Sequence, residues 1–368
     1  MKPDFPAITR HFRIEGLFLQ AHPYGTGHIN DTYVTSFQQP SAQVRRYLLQ
    51  RINHHVFADP EGLMENMALV LAHLRAKIIA VGGEPNREVM TLIPTVEGNT
   101  FARINGQNYW RALVLIEGAR TYEAVESLDQ VYQAARAFGS FLKLLVDFPA
   151  EALHETIPDF HHTRKRFDAF VQAVERDVEN RACTVAPEIA FVEQRAEETS
   201  VLVDLLEKGQ LPERVTHNDT KFNNVMIDDE TGKGICVVDL DTVMPGLALY
   251  DFGDAVRYAA NKVAEDEPYS SKAGIDLEIY DSFSSGFLDS AREFLTPTEM
   301  DYLSFSAKLM TLESGMRFLT DYLHGDLYFR TRREGHNLDR CRTQFGMVAD
   351  METKFDEMEE IVEKHRRH

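Results

Sequence analysis

The stretch Val215-Thr216-His217-Asn218-Asp219-Thr220-Lys221-Phe222-Asn223-Asn224-Val225-Met226-Ile227-Asp228 sets polar and charged side chains beside a short apolar run, and a second run, Ile235-Cys236-Val237-Val238-Asp239-Leu240-Asp241, does the same. The polar glycine turn between them makes a hairpin, so Asn224 at the start of one strand and Asp239 at the end of the other fall side by side. One amide oxygen and one carboxylate suit Mg²⁺, which takes few protein ligands and keeps waters and nucleotide phosphates for the rest. Asp219 stands five residues before Asn224, where its carboxylate could accept a proton from a substrate hydroxyl and aim it. Lys221 could reach a transferred phosphoryl group. Phosphoryl transfer depends on alignment and charge neutralisation, and a base beside a metal pair is the minimum a protein must supply. Asp241 is either a second metal ligand or a brace for the hairpin.

The elements that must hold these groups divide into an α+β chain of two parts. The first third reads as strands with one good helix: apolar stretches at 11–21 and 32–36 flank the turn-rich PYGTGHIND, and Tyr47 to Ile52 looks like a third strand. Asp59 and Pro60 cap and start a helix whose apolar positions Leu63, Met67, Val70, Leu71, Leu74 and Ile78 follow the 3.6-residue period. Two more strands fit 89–94 and 110–116, and Glu117-Gly118-Ala119-Arg120 reads as a connector, which places the boundary between residues 1–120 and 121–368. Beyond it, Ser127 and Gln130 form a capping box for a helix to about Val146, and helical patterns cover 160–180, 187–208, 276–294, 297–324 and 337–366.

With 58 acidic against 39 basic residues, the chain carries a formal charge of −19, which argues against capture of nucleic acid or an anionic membrane. No apolar run reaches the roughly 18 residues of a membrane span and the N-terminus shows no signal-peptide pattern, so a cytoplasmic location is expected. The three widely spaced cysteines, Cys183, Cys236 and Cys341, suit a reducing compartment and give no zinc pattern.

The pattern H-x-D-x-K-x-x-N, followed 20 residues after Asp219 by Asp239, resembles the catalytic loop and metal aspartate of the protein-kinase-like fold. Asn218 replaces the loop arginine of protein kinases, Asp239-Leu240-Asp241 replaces D-F-G, and no A-P-E element follows. The chain therefore resembles the small-molecule branch, the aminoglycoside phosphotransferase and choline kinase superfamily. Within it, THNDTKFNNVMID, VVDLDTVMPGLALYDFGDAVR and MRFLTDYLHGDLYF, with GTGHIND and LLQRIN in the first part, look like the kinases of N-acetylhexosamines.

That resemblance implies a bilobal protein-kinase-like fold, with a small N-terminal sheet lobe that binds nucleotide and a larger, mainly helical lobe for catalysis and substrate. It implies ATP and Mg²⁺ as cofactors and a small sugar as partner, phosphorylated at its anomeric hydroxyl. Asp219 and Lys221 would be catalytic, Asn224 and Asp239 the metal ligands, His217 a packed loop brace, and Asp251 the aspartate holding the loop from below. Gly25 and Gly27 would cover the phosphates, although Asn30 takes the third glycine position and two glycines also make an ordinary turn. The connector around Glu117 would offer backbone bonds to adenine. Arg317 and Tyr328 would contact the sugar, the bland alternative being packed helix residues. The strand-three lysine is missing: Gln50 or Arg51 stands there, so Arg51 could hold phosphates with Glu65 as its partner, or could be a surface arginine. Two other functions fit the sequence: a kinase of another small alcohol such as choline, homoserine or an aminoglycoside, and an inactive nucleotide-binding protein.

Overall fold

The computed structural model describes residues 3–25, 29–268 and 270–367. After a one-turn helix α1 (Phe5–Thr9), strands β1 (Leu17–Pro23), β2 (Asp31–Gln38) and β3 (Val44–Ile52) form a meander. Helix α2 (Pro60–Ala80) interrupts it before β4 (Leu92–Ile93), β5 (Ala102–Ile104) and β6 (Asn108–Val114) complete an antiparallel sheet in the order β1-β2-β3-β6-β4, with β5 paired to β6. The Asp59 carboxylate accepts from Gly62 N and Pro60 sits in the first turn, as the sequence expects. All six apolar positions foreseen in α2 are buried.

Alternation sends adjacent residues of a strand to opposite faces. Across β2, β3 and β6 the register is Thr32, Gln50, Arg111 on one face and Asp31, Arg51, Trp110 on the other. Trp110 closes a small outer core with Ile8, Phe12 and Leu49, whereas the Arg111 face looks at α2 and the cleft.

Residues 115–118 then cross to β7 (Ala119–Arg120), which pairs with β9 (Val225–Asp228) of the hairpin completed by β10 (Gly234–Val237). A second pair, β8 (Arg214–Thr216) with β11 (Met244–Gly246), lies beside it. The helices of this larger part are α3 (Leu128–Leu144), α4 (Thr163–Arg176), α5 (Ala186–Glu193), α6 (Val201–Glu207), α7 (Ala248–Ala259), α8 (Leu277–Ala291), α9 (Pro297–Asp301), α10 (Leu303–Leu323), α11 (His336–Thr353) and α12 (Phe355–Arg366). Three expected long helices are each broken: 187–208 by a tight turn at Ala196–Ser200, 297–324 at Tyr302, and 337–366 at Lys354. α10 packs against α4, α7 and α11. One apolar core runs from Ile52 and α2 through α3, α7 and α8 to Val362, so α2 is seated on the larger lobe.

Candidate active site

The peptide groups of His217, Asn218 and Asp219 in the loop after β8 are all hydrogen-bonded, as is the Thr220 N–H, which is what a buried irregular segment requires. The Asp251 carboxylate on α7 accepts from His217 N at 2.8 Å and Asn218 N at 2.7 Å. His217 Nδ1 accepts from Asp219 N at 3.3 Å, and the Asp254 carboxylate accepts from Thr220 N at 3.0 Å. The carbonyls are held in turn: Thr242 Oγ1 donates to His217 O, His161 Nε2 to Asn218 O, and Asn224 Nδ2 to Asp219 O, at 2.7, 3.0 and 2.8 Å. Asn218 takes the left-handed conformation (φ 63°), and its side chain bonds Thr216 and Thr242. His217 is fully buried, donates from Nε2 to Val238 O at 2.9 Å and meets the edges of Phe138 and Phe141. Burial pushes the Asp251 carboxyl up to about 6, against the pull of His217 and the two N–H donors.

On this support sit four groups. Lys221 Nζ lies 2.8 Å from one Asp219 carboxylate oxygen and 3.0 Å from the other. Its surroundings strip water from the ammonium, which lowers its basicity, but Asp219, Asp254 and Asp239 outweigh this and hold it cationic. Val238 N donates to Asn224 O at 2.9 Å, which extends the β9–β10 pairing by one step and sets Asp239 beside Asn224. Asp239 is left-handed (φ 62°, ψ 56°) and open to the cleft. Desolvation by the protein packed around it on the cleft floor, with the charges of Asp241 and Asp219, pushes its carboxyl up to about 6 despite Arg111 and Lys221. The Asn224 amide nitrogen is committed to Asp219 O, which leaves the amide oxygen for a ligand. The donor set is thus hard oxygen only and small in number, which fits Mg²⁺ sharing its shell with phosphates. Among the described residues no group of three or more His, Cys, Asp or Glu forms a metal cage. The polar convergence is on this cleft floor, away from the 270 Å³ groove behind α2 lined by Leu71, Arg75, Met90 and Pro94.

On the opposite side of the cleft, Gly25 is left-handed (φ 76°) after β1, whereas Gly27 lies outside the described residues. The expected Arg51–Glu65 pair does not form. Alternation turns Arg51 to the outer face, where it binds Asp31, lies over Trp110 and is 42% exposed, and Glu65 pairs instead with His154. The cation that occupies the inner face is Arg111, which the sequence reading missed. Its side chain is 2% exposed, binds the Asp241 carboxylate through Nη1 and donates from Nε to Gln50 Oε1 at 2.9 Å. Glu117 is exposed and forms a two-point bond with Arg46, which holds its carboxyl below the usual range.

Below the loop, α10 supplies the floor. Glu313 accepts from Thr163 and pairs with His161 Nδ1 at 2.8 Å, and His161 bonds Asn218 O, so α10 reaches the Asp219 segment through one side chain. One turn further, Arg317 lies over the rings of Phe160 (5.0 Å) and Phe329 (5.7 Å). Arg166 donates to Phe160 O through Nε and Nη2, and burial with the nearby Arg317 charge lowers its basicity. Asp321 gathers Leu327 N, Tyr328 N and Phe329 N, which fixes the loop carrying Tyr328, 61% exposed at its tip. Arg317 and Tyr328 are therefore neighbours across Phe329. No motif announced Arg166, His161 or Glu313.

Solved structures share this architecture along nearly its whole length. An aminoglycoside phosphotransferase from Alicyclobacillus acidocaldarius matches with TM-score 0.58 at 12% identity, covering 100% of this chain and 96% of that one. A microcompartment-associated aminopropanol kinase matches at 0.57 and 15%, covering 96% and 97%. An amicoumacin kinase in complex with AMP-PNP, Ca²⁺ and Ami matches at 0.55 and 13%, covering 94% and 93%. These identities speak to a shared fold, a small antiparallel sheet lobe on a larger helical one. The model of the phosphotransferase enzyme family (APH) matches residues 20–281, taking in the N-terminal sheet, the connector, the Asp219 loop and the Asp239 turn, and the chain belongs to that family.

Proposed function

We propose that the protein is an ATP- and Mg²⁺-dependent kinase that phosphorylates the anomeric hydroxyl of an N-acetylhexosamine to give the sugar 1-phosphate. The observation that carries the kinase reading is the juxtaposition of Asp219, Lys221, Asn224 and Asp239 on one loop and hairpin whose backbone is held from beneath. Asn224 and Asp239 would hold the cation, which when bound neutralises phosphate charge. Asp219 orients the sugar hydroxyl and takes its proton as the oxygen bonds to the γ-phosphorus and the bond to ADP breaks. Lys221, fixed on Asp219 before substrate arrives, is placed to follow the transferred phosphoryl oxygens.

The sign of the floor supports a neutral, oxygen-rich acceptor over an ammonium-bearing one. Arg166 and Arg317 both crowd Phe160, and two guanidiniums offer donors to hydroxyl and acetyl oxygens while repelling an alkylammonium. The exposed ring of Tyr328 provides a face on which a pyranose can stack. The test is a panel of N-acetylhexosamines, plain hexoses, choline, aminopropanol and an aminoglycoside, with product read by phosphorus NMR. Transfer to C1 of an N-acetylhexosamine is expected; transfer to an amine alcohol, or to C6, overturns the acceptor assignment. Asp219→Ala should lower turnover by about 10² to 10⁴ while nucleotide affinity, measured by calorimetry, stays within threefold or so.

A further inference from the structure

Arg111 and Asp241 form an ion pair that joins the two lobes with both side chains almost out of water, 2% and 5% exposed. A buried ion pair contributes little net stability compared with an apolar pair of the same size, so its place in the structure calls for another account. Around Arg111 the helix α2 offers only the sulfurs of Met64 and Met67, at 3.9 and 3.7 Å, and no carboxylate. The guanidinium is instead spent on two partners, Gln50 of β3 and Asp241. Gln50 is itself held by donating to Thr32 Oγ1 at 3.0 Å. The second Asp241 oxygen accepts from Asn30 Nδ2 at 2.5 Å, and Asn30 Oδ1 accepts from Asn53 N at 3.0 Å. Asn30 immediately precedes β2.

Asp241 belongs to the tight turn Leu240–Thr242 that starts at the left-handed Asp239. From the other end, Thr242 Oγ1 fastens that turn to His217 O. The turn that follows Asp239 is thus held at both ends, and the Asp241 carboxylate within it is gripped by Arg111 and Asn30 of the sheet lobe.

We propose that Arg111 is a positioning residue: by holding Asp241 it fixes the turn that aims Asp239 at the cation and ties that turn to strands β3 and β6 of the sheet lobe, without touching nucleotide itself. The inference deepens the kinase reading and rests on it. Partners of this outer kind change metal affinity by about 10- to 100-fold when removed, because the ligand loses its orientation.

The test measures ADP binding by calorimetry with Mg²⁺ and again with chelator, together with Mn²⁺ binding by electron paramagnetic resonance. The variants are Arg111→Met, Asn30→Ala and the double change Arg111→Met with Asp241→Asn. Arg111→Met should weaken Mn²⁺–ADP binding by about tenfold or more and metal-free ADP binding by less than about threefold. The double variant, which removes the stranded charge, should recover part of the loss. Asn30→Ala, a change at a half-exposed residue, should shift the metal-linked affinity the same way by a smaller factor, and it reads out even where Arg111→Met does not fold. Unchanged metal-linked binding in a folded Arg111→Met, or in Asn30→Ala where the former does not fold, overturns the proposal. Equal losses with and without metal also overturn it, since they mark Arg111 as a phosphate contact. A parent protein that binds no ADP in either condition refutes the kinase reading itself, a result distinct from the other two.

Discussion

At the scale of single residues, Asp239 sets how the cleft responds to acid. Its carboxyl is pushed up to about 6 because the surrounding protein partly desolvates it and Asp241 and Asp219 lie close, with Arg111 and Lys221 pulling the other way. Only the ionised form offers a cation both charge and lone pairs, and below about pH 6 a proton competes for the same oxygens. Apparent Mg²⁺ affinity for the ADP complex should accordingly rise by about tenfold per pH unit up to pH 6 and level off above it. Calorimetric titrations at half-unit steps from pH 5 to pH 8 check this, and a flat profile across that span contradicts it.

At the scale of elements, the α3–α8 contact is tight enough that only glycine fits at two crossings. A Cβ on Gly286 would lie 2.2 Å from Tyr132 O, and one on Gly139 would lie 2.7 Å from Phe287 O. α3 also carries Phe138 and Phe141, whose edges press on His217 beneath the loop. Gly286→Ala should therefore cost about 1–3 kcal/mol of stability through forced separation of the helices, seen as a lower urea midpoint. A midpoint equal to the parent's would mean that the helices slide apart freely.

The elements whose signals are local were readable in the sequence. Asp59-Pro60 opens α2 and Ser127 caps α3, because a side chain bonding its own backbone needs no distant partner. α7 was not foreseen as a helix: Gly253 in its middle reads as a breaker, yet the glycine is there because a Cβ would meet Ser306 O of α10 at 2.5 Å. The Asn224–Asp239 juxtaposition was legible from hairpin geometry alone, and Asp251 beneath the loop from family resemblance. Arg111 was not, since its partner lies 130 residues away and only the register of β3 with β6 shows which face it takes. The same register explains why Arg51, one residue from Gln50, points the wrong way for a phosphate.

For the molecule as a whole, the lobes are strapped at two depths. Arg111–Asp241 lies inside, and Arg87 binds Asp228 at 2.5 Å beside the connector. With one core running from α2 into the large lobe, ligand in the cleft stabilises both lobes together. Mg²⁺–ADP at a hundred times its Kd should raise unfolding free energy by about 2.7 kcal/mol, in a single transition. Two separate transitions in calorimetry, only one of them moved by ligand, would show that the lobes melt independently. No described helix is long and apolar enough to cross a membrane.

The left-handed backbone at Asp239 has a further consequence. A residue with a Cβ is strained there by roughly 1–2 kcal/mol, and this one also keeps a crowded carboxylate beside two like charges. Asp239→Gly would relax both burdens at once, giving a protein that melts at a higher temperature and catalyses nothing. Thermal scans and turnover of that variant would then move in opposite directions, the mark of a position where durability has been surrendered to chemistry.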